Sequence, residues 1–355
     1  MLDIVNNTHP KDRGGPAQPM FVVKDLKKHY PIAGGLMNRT VASVRAVDGV
    51  SFDVRKGETL GIVGESGCGK STVARLLMHL IDRTEGELIF DGEGVGTIGG
   101  ITMRDFRKAA QMVLQDSYSS LNPRLPIEDT IAYGPRFHGM AKEKARKLAR
   151  DLLTKVGLRP EVFGPRYPHE LSGGQKQRVN IARALALSPR LVILDEAVSA
   201  LDKSVEAQVL NLLRKLKREF NLTYVFISHD LNVVQYISDR VLVMYLGEVV
   251  EIGPVDAIYD TPKHPYTQAL LASRLSMDPD DRMDDAPITG DPPNPINPPS
   301  GCRFRTRCPY SEGVCETKHP GMTAGAHATR CHMFDPTSGH SRAGEVPDLK
   351  ERAIA

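Results

Sequence analysis

The sequence contains no tryptophan, no long apolar run and no marked excess of either charge. Its longest unbroken apolar run is the six residues from Val241 to Leu246, whereas a membrane-spanning helix needs about 20. The 46 basic and 43 acidic residues leave a net charge of +3, which is too balanced to predict a nucleic-acid partner or an anionic membrane surface. Residues 1–19 lack the apolar block of a signal peptide, so we expect a cytoplasmic protein.

Length and composition predict a folded chain of about two domains. Of the 355 residues, 41% are apolar, which is enough to form a core. We expect residues 1–19 to form a flexible tail, prolines between Pro279 and Pro299 to form an extended connector, and residues 336–355 to form a polar tail. A cysteine-containing segment lies between the connector and this tail.

Apolar runs and helical patterns alternate from Met20 to about Ile258, which is typical of an α/β fold. The later apolar runs are continuous, and this predicts strands of a parallel sheet buried on both faces. The predicted strands are 21–23, 50–54, 60–63, 191–194, 224–228 and 241–245. The predicted helices are 72–81, 142–156, 175–187, 205–219 and 232–237.

A glycine-rich segment from Gly64 to Ser71 fits the phosphate-loop pattern G-x-x-x-x-G-K-[ST]. It follows a predicted strand and opens a predicted helix, which is the context that this loop requires. Its glycines allow backbone N–H groups to surround phosphate oxygens. Lys70 supplies a cation for the β- and γ-phosphates, and the Ser71 hydroxyl is a ligand for Mg²⁺. The segment predicts a nucleoside triphosphate site, which kinases, GTPases and motor ATPases share; the absence of an Asn-Lys-x-Asp motif disfavours GTP.

Two carboxylates, Asp195 and Glu196, follow the strand predicted at 191–194. Ligands of open α/β sheets bind at the carboxyl ends of strands, so we expect this pair beside the phosphate loop. Asp195 is expected to hold Mg²⁺, and Glu196 to polarise the water that attacks the γ-phosphate. His229 follows another predicted strand, and we expect it to contact the γ-phosphate.

A second glycine-containing segment precedes the helix predicted at 175–187. Ser172 and Gln175 form a capping-box pattern, which alone indicates a well-capped helix. Gly173 and Gly174 cost about 1 kcal/mol each of helix propensity relative to alanine, and they leave backbone N–H groups open to an anion. Because we expect one nucleotide per chain, we predict a head-to-tail pair of chains in which each segment closes on the partner's nucleotide.

The segment from Leu171 to Gln175 resembles the signature of ATP-binding-cassette (ABC) ATPases, and five ordered motifs extend this resemblance over about Met20 to Ile258. It implies a P-loop (RecA-like) ABC ATPase core with a mixed sheet and an inserted helical subdomain at about 116–188. Gln115 resembles the Q-loop glutamine, which senses Mg²⁺ and water. Residues 199–202 resemble the D-loop at the dimer seam, and His229 resembles the switch histidine.

The resemblance also implies the residues of the site. The adenine-stacking candidate is Tyr30, which an insertion at 31–43 separates from the phosphate loop. The implied catalytic residues are Glu196, His229 and Gln115, and the implied Mg²⁺ ligands are Ser71, Gln115 and Asp195. The implied ATP contacts are Tyr30, Gly64, Glu65, Ser66, Gly67, Cys68, Gly69, Lys70, Ser71, Thr72, Ser172, Gly173, Gly174, Gln175 and Asp202.

A finer resemblance is to the dipeptide/oligopeptide-importer branch of these ATPases, through residues 115–123, 195–202, the His-Pro-Tyr-Thr motif at 264–267 and residues 298–308. It implies an ATPase domain at 20–260 and a small Cys-rich C-terminal extension at 261–335. In that branch two ATPases, often non-identical, lie under two membrane permeases, and an extracytoplasmic binding protein delivers the peptide.

The importer resemblance implies an ATPase at the cytoplasmic face of the inner membrane that powers dipeptide or oligopeptide uptake. Import of a nickel complex or a glycoside is an alternative, and so is a soluble ABC ATPase without a role in transport. The segment at Ser172 argues against a third reading, a P-loop small-molecule kinase.

Four cysteines lie late in the chain with the spacing Cys302-x5-Cys308-x6-Cys315-x15-Cys331. Four thiolates can hold Zn²⁺ or an iron–sulfur cluster, but structural zinc sites usually contain closer C-x₂₋₄-C pairs. Similar peptide-importer subunits carry a [4Fe–4S] cluster in this region. The resemblance therefore implies such a cluster, with Zn²⁺ or free structural thiols as alternatives.

Overall fold

The computed structural model describes residues 18–34, 39–115, 120–273 and 290–344. Outside these ranges lie most of the predicted N-terminal tail, residues 35–38 of the insertion, residues 116–119 of the predicted helical subdomain, the connector up to residue 289, and residues 345–355 of the predicted polar tail. The strands are β1 (Phe21–Gly34), β2 (Arg39–Val54), β3 (Thr59–Val63), β4 (Glu85–Phe90), β5 (Glu93–Gly94), β6 (Ala110–Val113), β7 (Leu191–Asp195), β8 (Thr223–Ile227), β9 (Arg240–Tyr245), β10 (Glu248–Pro254) and β11 (Ala328–Thr329).

The helices pack on both sides of these strands. They are α1 (Lys70–Leu77), α2 (Met103–Ala109), α3 (Ile127–Phe137), α4 (Lys142–Lys155), α5 (Pro160–Phe163), α6 (Gly173–Leu185), α7 (Lys203–Phe220), α8 (Leu231–Ile237), α9 (Val255–Asp260), α10 (Pro265–Ala272) and α11 (Gly313–Thr317). Short 3₁₀ helices lie at Pro168–Glu170 and His332–Phe334.

The central layer is a mixed sheet whose strand order, within the described ranges, is β11-β10-β9-β3-β8-β7-β6. The strands from β9 to β6 in this order run parallel, whereas β10 and β11 are antiparallel to their neighbours. Neighbouring residues of one strand enter opposite cores: Ile193 and Val225 lie in one core, and Leu194 and Phe226 lie in the other. The predicted strands with two buried faces are therefore confirmed, as is the mixed sheet.

A second, antiparallel sheet has the order β2-β1-β4-β5. Its first two strands have 14 and 16 residues, much longer than the predicted 21–23 and 50–54. Residues 31–34 and 39–43 of the insertion continue this pairing, with Tyr30 opposite Val44 and Ala33 opposite Thr40. The described parts of the insertion thus lengthen both strands.

The helical layer between β6 and β7 consists of α3 to α6. On α4, the residues Ala145, Ala149, Leu152 and Leu153 are buried, and its lysines are exposed. This separation places most of the basic residues of this helix on a solvated face.

The C-terminal region shares the core of the central sheet. Strand β11 pairs with β10 at the sheet edge. Phe304 lies edge-on to Tyr245 of β9 with ring centroids 5.3 Å apart, and its centroid is 5.5 Å from that of Tyr266 in α10. Such aromatic packing stabilises a contact beyond the burial of apolar area alone. The C-terminal region therefore packs, through Tyr266 and Phe304, on the sheet that carries the phosphate loop.

The predicted ends of the first helix and of the polar tail also differ from the structure. The helix predicted at 72–81 ends at Leu77, because His79 adopts a left-handed φ of 50°. Within the predicted polar tail, Ser338 and His340 are buried, and His340 Nε2 lies 3.0 Å from the carbonyl oxygen of Tyr310. Residues 336–344 therefore belong to the C-terminal fold, because local side-chain contacts cover polar residues that composition alone assigns to solvent.

Candidate functional site

The predicted motifs meet at one edge of the central sheet. The phosphate loop follows β3, Asp195 ends β7, His229 follows β8, and Gln115 follows β6. These four strands are neighbours and run parallel, so their carboxyl ends lie together. Ligands of open parallel sheets bind at this edge, which makes it the candidate site.

Two glycines of the phosphate loop are required by close backbone packing. Gly64 and Gly69 have φ angles of 150° and 111°. A Cβ on Gly64 would overlap the carbonyl oxygen of Met244, and one on Gly69 would overlap that of Ala46. Side chains are excluded at these two positions, so the loop keeps a backbone path that exposes its amides.

Lys70 begins α1 and points back into the loop. Its Nζ donates hydrogen bonds to the carbonyl oxygens of Gly64, at 2.7 Å, and Glu65, at 2.9 Å. The residue is only 6% exposed, and the N-terminus of α1 adds partial positive charge beside it. The arrangement concentrates positive potential where phosphate oxygens are expected.

The predicted Mg²⁺ ligands lie side by side. The Ser71 hydroxyl donates to Asp195 Oδ1 at 3.2 Å. Burial raises the pKa of Asp195, and the Ser71 hydrogen bond partly opposes this shift. A buried carboxylate with a hydroxyl beside it fits a divalent cation, because a cation would stabilise the charged form that burial disfavours.

The predicted catalytic residues surround Glu196. Gln115 Nε2 donates to Glu196 Oε2 at 2.6 Å, and His229 Nδ1 lies 3.4 Å from Glu196 Oε1. Glu196 itself has a left-handed φ of 49°, and its N–H donates to the carbonyl oxygen of Ile227. A non-glycine residue in this conformation is strained and is held by its surroundings. The sheet thus fixes this carboxylate between an amide and an imidazole.

The second glycine-containing segment forms the capping box that its sequence predicts. Gln175 N–H donates to Ser172 Oγ at 3.4 Å, and Ser172 N–H donates to Gln175 Oε1 at 3.0 Å. A Cβ on Gly174 would overlap Val205 of α7, whereas Gly173 has room for one. Asp202 is exposed and caps α7 by accepting from Val205 N–H at 3.2 Å. Contacts within this chain therefore account for Ser172, Gly174 and Gln175 in one motif and for Asp202 in the other. That these residues contact a nucleotide stays a prediction.

The remaining predicted ATP contacts have local surroundings of their own. Tyr30 is 37% exposed on β1, and Lys28 Nζ lies 5.0 Å from the centre of its ring. Cys68 is buried, and this burial raises the pKa of its thiol. The exposed ring of Tyr30 is compatible with the predicted stacking on adenine, and the ATP contacts of Tyr30 and Cys68 stay predictions.

The four late cysteines line one cavity together with His264 and Phe304. Burial raises the pKa of Cys302 to about 11 and raises that of Cys331, to which the other three thiols contribute. Among the residues with described positions, however, no group of three or more His, Cys, Asp or Glu side chains is arranged to hold a metal ion. The thiols converge without forming such a group, so the predicted [4Fe–4S] cluster, or Zn²⁺ in its place, is not supported by the structure.

Sequence reasoning missed two residues, Arg307 and Tyr266, that form hydrogen bonds with the phosphate loop. Arg307 donates two hydrogen bonds to the Glu65 carboxylate, and Tyr266 accepts one from the Glu65 N–H. The available signals were the His-Pro-Tyr-Thr motif and the arginines among the cysteines. Neither indicates its partner, because Arg307 and Glu65 are 242 positions apart.

Comparison with known proteins identifies the family. A family model described as ABC transporter matches residues 47–199, and one described as the oligopeptide/dipeptide transporter C-terminal region matches residues 250–315. The oligopeptide transport ATP-binding protein AppF of Bacillus subtilis is 49% identical over 327 residues, which are 89% of this chain and 98% of AppF. The chain belongs to the oligopeptide ABC transporter ATP-binding proteins.

Solved structures agree with this family in fold. A dimeric post-hydrolysis state of an ATP-binding cassette bound to ADP and Pi has a TM-score of 0.57 and 29% identity, covering 66% of this chain and 99% of that one. The structure of cbiO1 from Clostridium perfringens, part of an ABC transporter complex, has a TM-score of 0.59 and 25% identity, and the match covers 68% of this chain and 91% of that one. This chain is therefore an ABC-type ATPase, for which ATP and Mg²⁺ are the expected ligands.

No helix in the described ranges combines the length and the apolar character that a bilayer crossing demands.

Proposed function

We propose that this ABC ATPase hydrolyses ATP to power the uptake of dipeptides or oligopeptides through an importer in the inner membrane. The likeness to AppF over 98% of that protein carries this proposal, and the match to an oligopeptide/dipeptide transporter C-terminal region supports it. In this role the chain binds peripherally at the cytoplasmic face. Its partners are a second, non-identical ATPase, two transmembrane permeases and an extracytoplasmic substrate-binding protein.

We propose that ATP lies between two such ATPases. The fold neighbour with ADP and Pi is dimeric, and the Ser172 end of α6 is exposed in this chain. The N-terminus of α6 and Asp202 of one chain would complete the nucleotide site built on Lys70 of the other. Phosphate charge then joins the two chains, and loss of the γ-phosphate releases them.

Hydrolysis is assigned to the residues around Glu196. In its charged form this carboxylate accepts the proton of the attacking water, and Gln115 and His229 on its two oxygens keep it oriented. Ser71, Asp195 and Gln115 would hold Mg²⁺, which neutralises phosphate charge when bound. Tyr30 would stack on the adenine from the lengthened hairpin.

We propose that the helical subdomain, about 116–188, faces the permeases. A groove on this subdomain is lined by Asp129, Arg146, Arg150 and Glu161. Tyr133 and Phe137 of α3 are 63% and 75% exposed. The helix α3 thus contributes Asp129 to a charged groove and also carries two exposed aromatic side chains, and exposed aromatic side chains are common in protein contacts. We also propose that the chain divides into an ATPase domain at 20–260, which contains this helical subdomain, and a C-terminal region at 261–335.

For the cysteine-lined cavity we propose a [4Fe–4S] cluster, with Zn²⁺ as the alternative. Convergence of four thiols on one cavity supports this proposal, although the side chains would have to rearrange around the metal. Anaerobically purified protein should be brown and contain about four iron atoms and equivalent sulfide per chain. Colourless protein with zinc supports the alternative, and metal-free protein would contradict both.

Glu196→Gln tests the catalytic assignment. Because glutamine cannot accept the proton, the variant should bind ATP as the parent does, lose hydrolysis by about 100-fold or more, and accumulate as an ATP-bound dimer. Glu316→Gln, an exposed carboxylate distant in sequence, is the matched control and should hydrolyse normally. Normal hydrolysis by Glu196→Gln would show that another group is the base.

Association with membrane proteins tests the transport role. The tagged protein expressed in its own cell is expected to co-purify with two permeases. The reconstituted complex should show ATPase activity stimulated by the binding protein loaded with a peptide. An ATPase recovered without any permease, and unaffected by peptide, would contradict the importer function.

A further inference from the structure

Glu65, the second residue of the phosphate loop, is held at three points. Its carboxylate accepts from Arg307 Nη1 at 2.9 Å and from Nη2 at 3.1 Å. Its N–H donates to Tyr266 Oη at 2.8 Å, and its carbonyl oxygen accepts from Lys70 Nζ at 2.9 Å. Two of these three anchors come from the C-terminal region and one from the nucleotide site itself.

The anchors from the C-terminal region are rigid. The Arg307 side chain is 7% exposed, lies 5.9 Å from the ring centre of Tyr245, and donates to the Tyr245 hydroxyl at 3.4 Å. Tyr266 is fully buried, with its ring centre 4.7 Å from that of Tyr245. A planar guanidinium binding a carboxylate through two hydrogen bonds fixes orientation as well as distance.

We propose that Arg307 is a positioning residue of the nucleotide site, which it sets through Glu65 with the help of Tyr266. The Glu65 carbonyl oxygen is an acceptor of the ammonium group that should bind the phosphates. Arg307 therefore fixes the path of the loop around Lys70 before ATP arrives. Preorganised donors avoid the cost of ordering the loop during binding.

This role gives the His-Pro-Tyr-Thr motif a function in the same site. His264 is fully buried and caps α10 by accepting from the Tyr266 N–H through Nδ1 at 3.0 Å. Pro265 begins the helix, where its missing N–H costs nothing. The motif thus starts α10 so that Tyr266 reaches the phosphate loop.

The inference rests on the proposed binding of ATP at this loop, and direct nucleotide titration tests it. Arg307→Gln should weaken binding of a fluorescent ATP analogue by about ten-fold, the scale of one charge-assisted hydrogen-bonded pair. It should raise the KM for ATP more than it lowers kcat. Arg305→Gln is the matched control, since Arg305 pairs with Ser300 and the exposed Glu316, and it should bind as the parent does.

A double-mutant cycle separates positioning from a general loss of structure. Glu65→Gln should weaken binding as Arg307→Gln does, and the two changes together should cost no more than either one. The exchanged pair, Glu65→Arg with Arg307→Glu, should recover part of the affinity. Unchanged affinity in Arg307→Gln, or losses that add fully in the cycle, would overturn the inference. Failure of the parent protein to bind ATP would instead overturn the proposed function.

Discussion

Arg303 joins three segments that are distant in sequence. Its guanidinium pairs with Asp48 of β2, lies 3.0 Å from Glu248 Oε1 of β10, and donates to the carbonyl oxygen of Leu246. The side chain is 8% exposed, and both carboxylates are largely buried. Arg303→Met would keep much of the side-chain volume and remove the charge that these two carboxylates share.

The expected loss is about 3 kcal/mol in the free energy of unfolding, the lower end of the cost of breaking a buried pair from one side, because His29 still contacts Asp48 and His319 still contacts Glu248. Arg305→Met is the matched control. Its guanidinium lies 3.6 Å from Glu316, which is largely exposed, so its removal should cost less than about 1 kcal/mol. Urea unfolding of the two variants and the parent measures both values.

The pH dependence gives an independent check on the Arg303 prediction. Burial alone would raise the pKa of Asp48, but hydrogen bonds from Arg303 and His29 outweigh it and hold the pKa below its ordinary value of 3.8. A lowered carboxyl pKa stabilises the fold above the unfolded pKa, and this contribution is lost as pH falls through the folded pKa. In Arg303→Met the pKa of Asp48 should rise. The difference in unfolding free energy between parent and variant should therefore narrow as pH falls below 3.8, through the lower pKa that Asp48 has in the folded parent. A loss below about 1 kcal/mol, or a gap that is constant with pH, would refute the reasoning.

Two further changes test other parts of the site. Gly174→Ala should lower the free energy of unfolding by about 1–3 kcal/mol, because its Cβ would overlap Val205. The double variant with Val205→Ala should recover stability relative to Gly174→Ala, and urea unfolding that finds no such recovery would contradict the packing explanation. Ser71→Ala should weaken nucleotide binding in Mg²⁺ but not in EDTA, because it removes the hydroxyl beside Asp195. Calorimetric titration in both buffers measures this, and equal losses would argue against a metal role.

The phosphate loop and the carboxylate pair could be predicted because each is a contiguous segment. Gly64 to Ser71 carries its glycines, lysine and hydroxyl within eight positions. Asp195 ends a strand, and Glu196 follows it directly. The parallel order of the strands then brings these segments to one edge. The strand extensions at residues 31–34 and 39–43 could not be predicted in the same way. They are strands because they pair with each other, and their sequence shows no alternation of polar and apolar residues.

The cysteine segment shows the limit of spacing as evidence. Cys302, Cys308, Cys315 and Cys331 do converge on one cavity, as four related thiols in a short segment suggest. Whether thiols can hold a metal depends on the directions and distances of their side chains. Those are set by the packing of Phe304 and its neighbours, which no count of intervening residues specifies.

The sequence by itself determined the chemistry of the nucleotide site, since motifs within one turn or one strand end depend on local backbone geometry. Only the tertiary structure decided what supports that chemistry: Arg307 reaches Glu65 across 242 positions, and Arg303 reaches Asp48 across 255. Such pairs form because the C-terminal region packs on the central sheet, and burial then makes each ion pair specific to its partner. The sequence alone cannot predict these pairs, because each arginine could pair equally well with many of the carboxylates in the chain.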